Sequence, residues 1–228
     1  MCTLFVLLIC AGADAAGIFN LGVMGGVAND AGSVEHVTGE INKEMRQVSG
    51  ATVTELETTY TPVFAVNLAY INDSLLIKVG WEYTTNAFYK SEGSVDNAGT
   101  VNKVEVDYSR YTFPVSFGLV VPLTTRDRFY FAGGINVSYV LMKVKQSNPS
   151  LFLYPGSSHT YSAYLSGTHL KFGAESLLTR NYCFAMEFTK YFGTTKKVKS
   201  EDGNSTVPIS VNSFEITAGI TYNLDFKI

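Results

Sequence analysis

Charge is scarce in this chain of 228 residues: Asp, Glu, Lys and Arg together make up 16%, against about 25% in soluble domains. The net charge is -3, so no basic field gathers nucleic acid, and that class of partner is excluded. Long apolar runs are missing too. The stretch from Leu4 to Ile9 falls well short of the roughly 20 residues a spanning helix needs. Cysteine is limited to Cys2, Cys10 and Cys183. There is no H-E-x-x-H, no paired C-x-x-C and no G-x-S-x-G, and Gly22 to Gly26 does not make a phosphate loop. No cofactor, metal or catalytic centre is therefore expected. What the chain has in quantity is aromatic: 14 Tyr and 15 Phe against one Trp, a balance that favours strands.

Residues 1–15 read as a signal peptide, with a short apolar run followed by Ala13-Asp14-Ala15, a small-x-small cleavage site. No Lys or Arg precedes the run. Cys10 follows Leu7-Leu8-Ile9 in a loose likeness of a lipoprotein box, but Ile9 is larger than that site prefers. Cleavage after Ala15 leaves residues 16–228 as one domain, and its single Cys183 cannot form an internal disulfide. If such a chain enters a membrane it does so as a closed barrel, because lipid cannot hydrogen-bond an open sheet edge.

Period-two alternation recurs eight times, with turn chemistry between. The last segment is the clearest: Phe214, Ile216, Ala218, Ile220, Tyr222, Leu224, Phe226 and Ile228 share one face, and Glu215, Thr217, Gly219, Thr221, Asn223 and Asp225 the other. Earlier segments cover about residues 18–28, 60–70, 75–84, 104–121, 129–142, 170–178 and 182–192. In the fourth, Tyr111, Phe113, Val115, Phe117, Leu119 and Val121 alternate with Arg110, Thr112, Ser116 and Gly118, while the upstream half looks out of phase, which predicts a bulge near Ser109. These segments are long for a soluble sandwich. Connections alternate as well: short at 71–74, 122–128 and 179–181, long at 29–59, 90–103, 143–161 and 194–210. That rhythm belongs to transmembrane barrels, with short turns at one end and solvated, mobile loops at the other. The expected fold is all-β: an eight-stranded, antiparallel, up-and-down transmembrane β-barrel.

Two stretches carry a family likeness. Arg-Tyr-Thr-Phe-Pro-Val-Ser-Phe-Gly-Leu-Val-Val at 110–121 and Phe-Tyr-Phe-Ala-Gly-Gly-Ile-Asn-Val-Ser-Tyr-Val at 129–140 resemble paired central strands of the small outer-membrane proteins that include OmpX, OmpW and the OmpA barrel, with OmpW-like members nearest. The resemblance implies a bacterial outer membrane, contact with its lipid, insertion by the barrel-assembly machinery, and loops free to meet an extracellular or host partner. One departure is the C-terminus, where Phe226 is followed by Lys227 and Ile228 instead of ending the chain. A lipid-acylating member of this architecture uses His, Asp and Ser from outer loops. Here His36 lies near Asp30 and Ser33, and His159 near Ser157 and Ser158, neighbours that Ser- and Asp-rich loops provide by chance, so no enzyme is expected.

An eight-stranded barrel is just wide enough to be filled by its own side chains. Lys78, Glu82, Arg110, Lys171, Glu175, Glu187 and Glu215 fall on the inward phase, and buried charges persist only when paired. An interior ion-pair network is the expectation. Tyr70, Trp81, Tyr83, Tyr111, Phe129, Tyr139, Tyr182 and Phe226 are expected at the membrane boundaries. Cys183 points inward and is inert. Three functions fit: a scaffold whose four long loops bind or adhere, a narrow channel for small or hydrophobic molecules as OmpW-likeness implies, and a soluble lipocalin-like carrier, which needs an apolar lumen and a charged exterior.

Overall fold

The computed structural model describes residues 17–29, 34–57, 60–72, 74–86, 91–148, 158–201, 203 and 206–224. Alternation makes strands of most of them: β1 (Ile18–Asn29), β2 (Thr52–Thr54), β3 (Thr61–Asn72), β4 (Leu75–Thr85), β5 (Ser91–Asn97), β6 (Thr100–Pro122), β7 (Asp127–Gln146), β8 (Ser158–Leu177), β9 (Tyr182–Gly193), β10 (Lys196–Lys199), β11 (Thr206–Ile209) and β12 (Phe214–Leu224), with a helix, α1 (Val34–Arg46), after β1. Eight of them pair antiparallel in the ring β1, β3, β4, β6, β7, β8, β9, β12, and β12 returns to β1. Closure gives every wall strand a partner on both sides, so no edge needs water.

Register sets the tilt. A path across paired residues leaves β1 at Phe19, passes Tyr70, Ile77, Phe117, Gly133, Leu170, Lys190 and Phe214, and regains β1 at Asn29, ten residues further on. A stagger of this kind goes with strands inclined at roughly 40° to the axis. The stretch of β6 from Tyr111 to Val121 therefore covers about 33 Å of strand and about 25 Å of axis, the height of the apolar band in outer-membrane barrels. Along it the outer wall is apolar: Phe113, Phe117, Leu119 and Val121 on β6, and Phe131, Ile135 and Val137 on β7, are all exposed.

Beyond Tyr111, polarity turns inside out while the register runs on. β6 and β7 stay paired as far as Val104 with Gln146, and even-numbered residues face inward throughout. The bulge expected near Ser109 is absent. What changes is the surroundings: Val104, Val106, Tyr108, Val140, Met142 and Val144 are buried inside, while Glu105, Asp107, Lys143 and Lys145 take the outer face, with Lys145 Nζ 2.9 Å from Asp107. β8 repeats the inversion. It begins at Ser158, twelve residues before the strand expected at 170–178, and sends Tyr161, Ala163 and Leu165 into the same core.

Among the described residues, three of the four long connections hold regular structure where solvated loops were expected. The 29–59 segment holds α1 and β2, the 90–103 segment holds β5 paired to β6, and the 194–210 segment holds the β10–β11 hairpin. α1 forms because Val34, Val37, Ile41 and Met45 repeat at steps of three and four, giving one apolar stripe that is buried against Leu56, Val95, Val207 and the strand extensions. Asn42 acts as a strand neighbour: its Nδ2 donates to Leu56 O at 2.9 Å and its Oδ1 accepts from Leu56 N at 2.8 Å. Together these parts form a cap over one mouth of the barrel. The expected signal peptide and Phe226 lie outside the described residues.

Candidate functional site

At the level of the apolar band the interior is polar and crowded. Lys78, Glu82, Arg110, Lys171, Glu175, Glu187 and Glu215 are all buried. Glu187 stands between two lysines: Lys78 donates to its Oε1, and Lys171 Nζ lies 2.9 Å from its Oε2. Lys171 is also 3.5 Å from Glu82. Two tyrosines close this cluster, Tyr130 donating to Glu187 and Tyr191 to Glu82. Nearer the cap, Arg110 pairs with Glu215, donates to Ser213 Oγ at 2.8 Å and to Thr84 Oγ1 at 3.3 Å, and lies 5.5 Å from the centre of the Tyr191 ring. At the short-turn end Arg128 Nε donates to Glu175 at 2.7 Å.

Arg128 completes the set, so that Lys78, Arg110, Arg128 and Lys171 balance Glu82, Glu175, Glu187 and Glu215. In the sequence it falls in an expected turn, yet it shares the even-numbered inward phase of Tyr130 and Ala132 on β7. Tyr130 reaches Glu187 because Gly173 sits opposite it on β8, and a Cβ there would occupy the place of the ring. Ser116 and His169 fill the adjacent space at 2.8 Å. The void left among Lys78, Glu82, Pro114, Ser116, Lys171 and Glu187 is about 10 Å³, at the lower limit for one water. Side chains, not solvent, occupy the barrel here.

Outside, aromatics form two belts. Tyr83, Tyr111, Tyr139 and Tyr164 are register partners on β4, β6, β7 and β8, with ring centroids 4.9, 6.4 and 4.9 Å apart in turn, and Trp81 stacks 6.3 Å from Tyr83. Toward the short turns, Tyr70 meets Phe19 at 4.9 Å, Tyr182 meets Tyr222 at 5.0 Å and Phe129 meets Phe172 at 5.7 Å. Tyr164 is not among the aromatics expected at the boundary, because the outward residues before it on β8, Ser158, Thr160 and Ser162, lack the apolar face of a lipid-facing strand. His159, expected in a loop, is buried on β8 with its ring 6.3 Å from Tyr161, and His36 falls within α1. Cys183 is buried on the inward face of β9.

The cap surface carries a groove of about 410 Å³ between α1 and the β10–β11 hairpin, lined by Val37, Glu40, Glu44, Lys197, Val207 and Pro208. Burial, and then the neighbouring Glu40, push the Glu44 carboxyl up from its ordinary range. At the end of the helix Arg46 donates to both oxygens of Glu55 at 2.6 and 2.7 Å, and this hydrogen bonding holds Glu55 below the ordinary range.

No protein-family model matches the chain, and no curated protein matches it. Solved structures do. The outer membrane protein OprG from Pseudomonas aeruginosa aligns with a TM-score of 0.52 at 12% identity, over 92% of this chain and 97% of that one. Neisserial surface protein A aligns at 0.51 and 13%, over 90% and 97%. A major outer membrane protein from Thermus thermophilus aligns at 0.50 and 12%, over 90% and 99%. At such identities the likeness speaks for the fold alone, an antiparallel ring closed up and down.

Proposed function

We propose that this chain, a transmembrane barrel with the fold of the small outer-membrane proteins, resides in a bacterial outer membrane as a sealed scaffold and presents its cap at the cell exterior for binding or adhesion. Its short turns then face the periplasm and its cap the outside, the usual sense of such barrels. Its aromatic belts contact the lipid, its insertion falls to the barrel-assembly machinery, and it has no catalytic role. The observation that carries the reading is the double closure of the lumen. Paired charges fill the membrane level, and an apolar core packed under α1 lies above them. A narrow channel would need a continuous polar path, and the apolar layer interrupts one.

Planar-bilayer recording of the refolded mature chain, paired with protease treatment of intact cells, tests this. The expected result is a silent bilayer and cleavage confined to the cap. Sustained unit conductance by the unmodified protein would favour the channel instead. A cap protected on intact cells would overturn the orientation.

A further inference from the structure

Among the described residues, Lys190 is the one charged side chain on the outer wall between the two aromatic belts. It lies on β9 opposite Leu170 of β8 and Phe214 of β12, with Phe188 and Phe192 on either side along its own face. Its Nζ is 5.9 Å from the centre of the Phe192 ring, so the side chain runs toward the cap end. No carboxylate pairs with it among the described residues. A bare cation on a lipid-facing wall is destabilising in proportion to its depth, and a long stem relieves this by lifting the ammonium to the headgroup level. Water alone would satisfy it there, but the neighbouring positions add more.

On four of the eight wall strands, β4, β6, β7 and β8, the upper belt presents Trp81, Tyr83, Tyr111, Tyr139 and Tyr164. The next positions down β8 break that pattern with exposed Ser166 and Thr168, and Thr168 pairs with Phe192, one step along the face from Lys190. The ammonium of Lys190 and the hydroxyls of Thr168 and Ser166 thus occupy neighbouring outward positions on β9 and β8, just below Tyr164. Below it Phe188 and Phe214, with centroids 4.9 Å apart, and Leu170 offer an apolar floor. Phosphate oxygens match the ammonium and hydroxyls, and acyl chains match the floor.

We propose that Lys190, with Thr168 and Ser166, docks the phosphate of a phosphorylated glycolipid in the outer leaflet. The site rests on the membrane orientation proposed above and adds to it a lipid class. A phosphate monoester carries more charge for the ammonium than a phosphodiester, and the cap end faces the leaflet where glycolipid resides.

The mature protein is folded into nanodiscs of phosphatidylcholine alone, with lipid A, or with phosphatidylglycerol. Heat-dependent gel migration gives the unfolding midpoint, and native mass spectrometry gives the lipid retained. Lipid A raises the midpoint of the unmodified chain. K190M loses that rise and retains about tenfold less lipid A, K190R keeps both, and T168V loses part. In phosphatidylcholine alone K190M unfolds no earlier than the parent, which separates loss of the site from loss of the fold. An equal lipid A response in K190M, or a phosphatidylglycerol response equal to that of lipid A, overturns the assignment. Failure of every variant to insert would instead count against the membrane reading itself, and the site would fall with it.

Discussion

Along β6, the residues from Tyr111 to Val121 turn phenylalanine, valine and leucine outward and threonine and serine inward, while those from Val104 to Tyr108 turn valine and tyrosine inward and acids outward. β7 and β8 invert at the same level. One continuous register therefore serves two solvents. Where the wall meets lipid, the interior must hold the polar groups, and the only stable arrangement is mutual pairing. Where the wall meets water, burial of apolar side chains is again the driving force, and the interior becomes an ordinary core capped by α1. Alternation tells which residues share a face, but the medium decides which face is apolar.

The comparison predicts that the lower half is vulnerable to loss of a charge and the upper half to loss of volume. Glu187→Ala strands Lys78 and leaves Lys171 only its 3.5 Å contact with Glu82, and breaking a buried pair in this way costs about 3–5 kcal/mol. Urea unfolding in detergent micelles, followed by gel migration, checks it, and removing both lysines as well should recover much of the loss. Ile41→Ala, at the centre of the helix stripe, should cost the cap about 2–5 kcal/mol. Hydrogen exchange should reveal faster opening of α1 while the heat-modifiable migration of the barrel is kept, because the ring pairs without the cap.

Smaller substitutions test where the boundary lies. Val115→Arg on the outer wall should cost about 2–4 kcal/mol near the bilayer midplane, whereas Asp107→Val, on the same strand above the belt, should stay within about 0.5 kcal/mol. The same unfolding assay reads both. The smallest effect concerns Glu44. Its carboxyl is pushed up, so its ionised form disfavours the folded cap and stability falls as pH rises from the ordinary value of 4.5 through the raised one. Glu44→Gln should therefore slow exchange in α1 at neutral pH and change little where the acid is already protonated. Glu55 acts in the opposite sense. Its lowered value means that its contribution is present above the ordinary range and lost as pH falls through the folded value.

Much of the ring was legible in the sequence, because Phe214 to Leu224 or Phe129 to Tyr139 alternate without interruption and the short turns are short. The seven interior charges could be named from phase alone. What was hidden followed from the inversion. Val104, Val106 and Tyr108 looked like a slip of phase and suggested a bulge, and Ser158, Thr160 and Ser162 on the wet face of β8 looked like a loop. α1 was missed although Val34, Val37, Ile41 and Met45 carry its period, because Thr38 and Gly39 interrupt good helix formers and strongly charged neighbours surround the stripe. Arg128, Tyr130 and Tyr191 complete the plug through partners on other strands, which only the register brings together.

Spin labels placed singly at odd positions of β6 from Val101 to Val121 test the central claim most directly. Accessibility to oxygen should dominate from Tyr111 to Val121 and accessibility to a polar nickel reagent from Val101 to Ser109, with the exchange falling at one step between Ser109 and Tyr111. Polar access continuing through Phe113 to Val121 in lipid would contradict it.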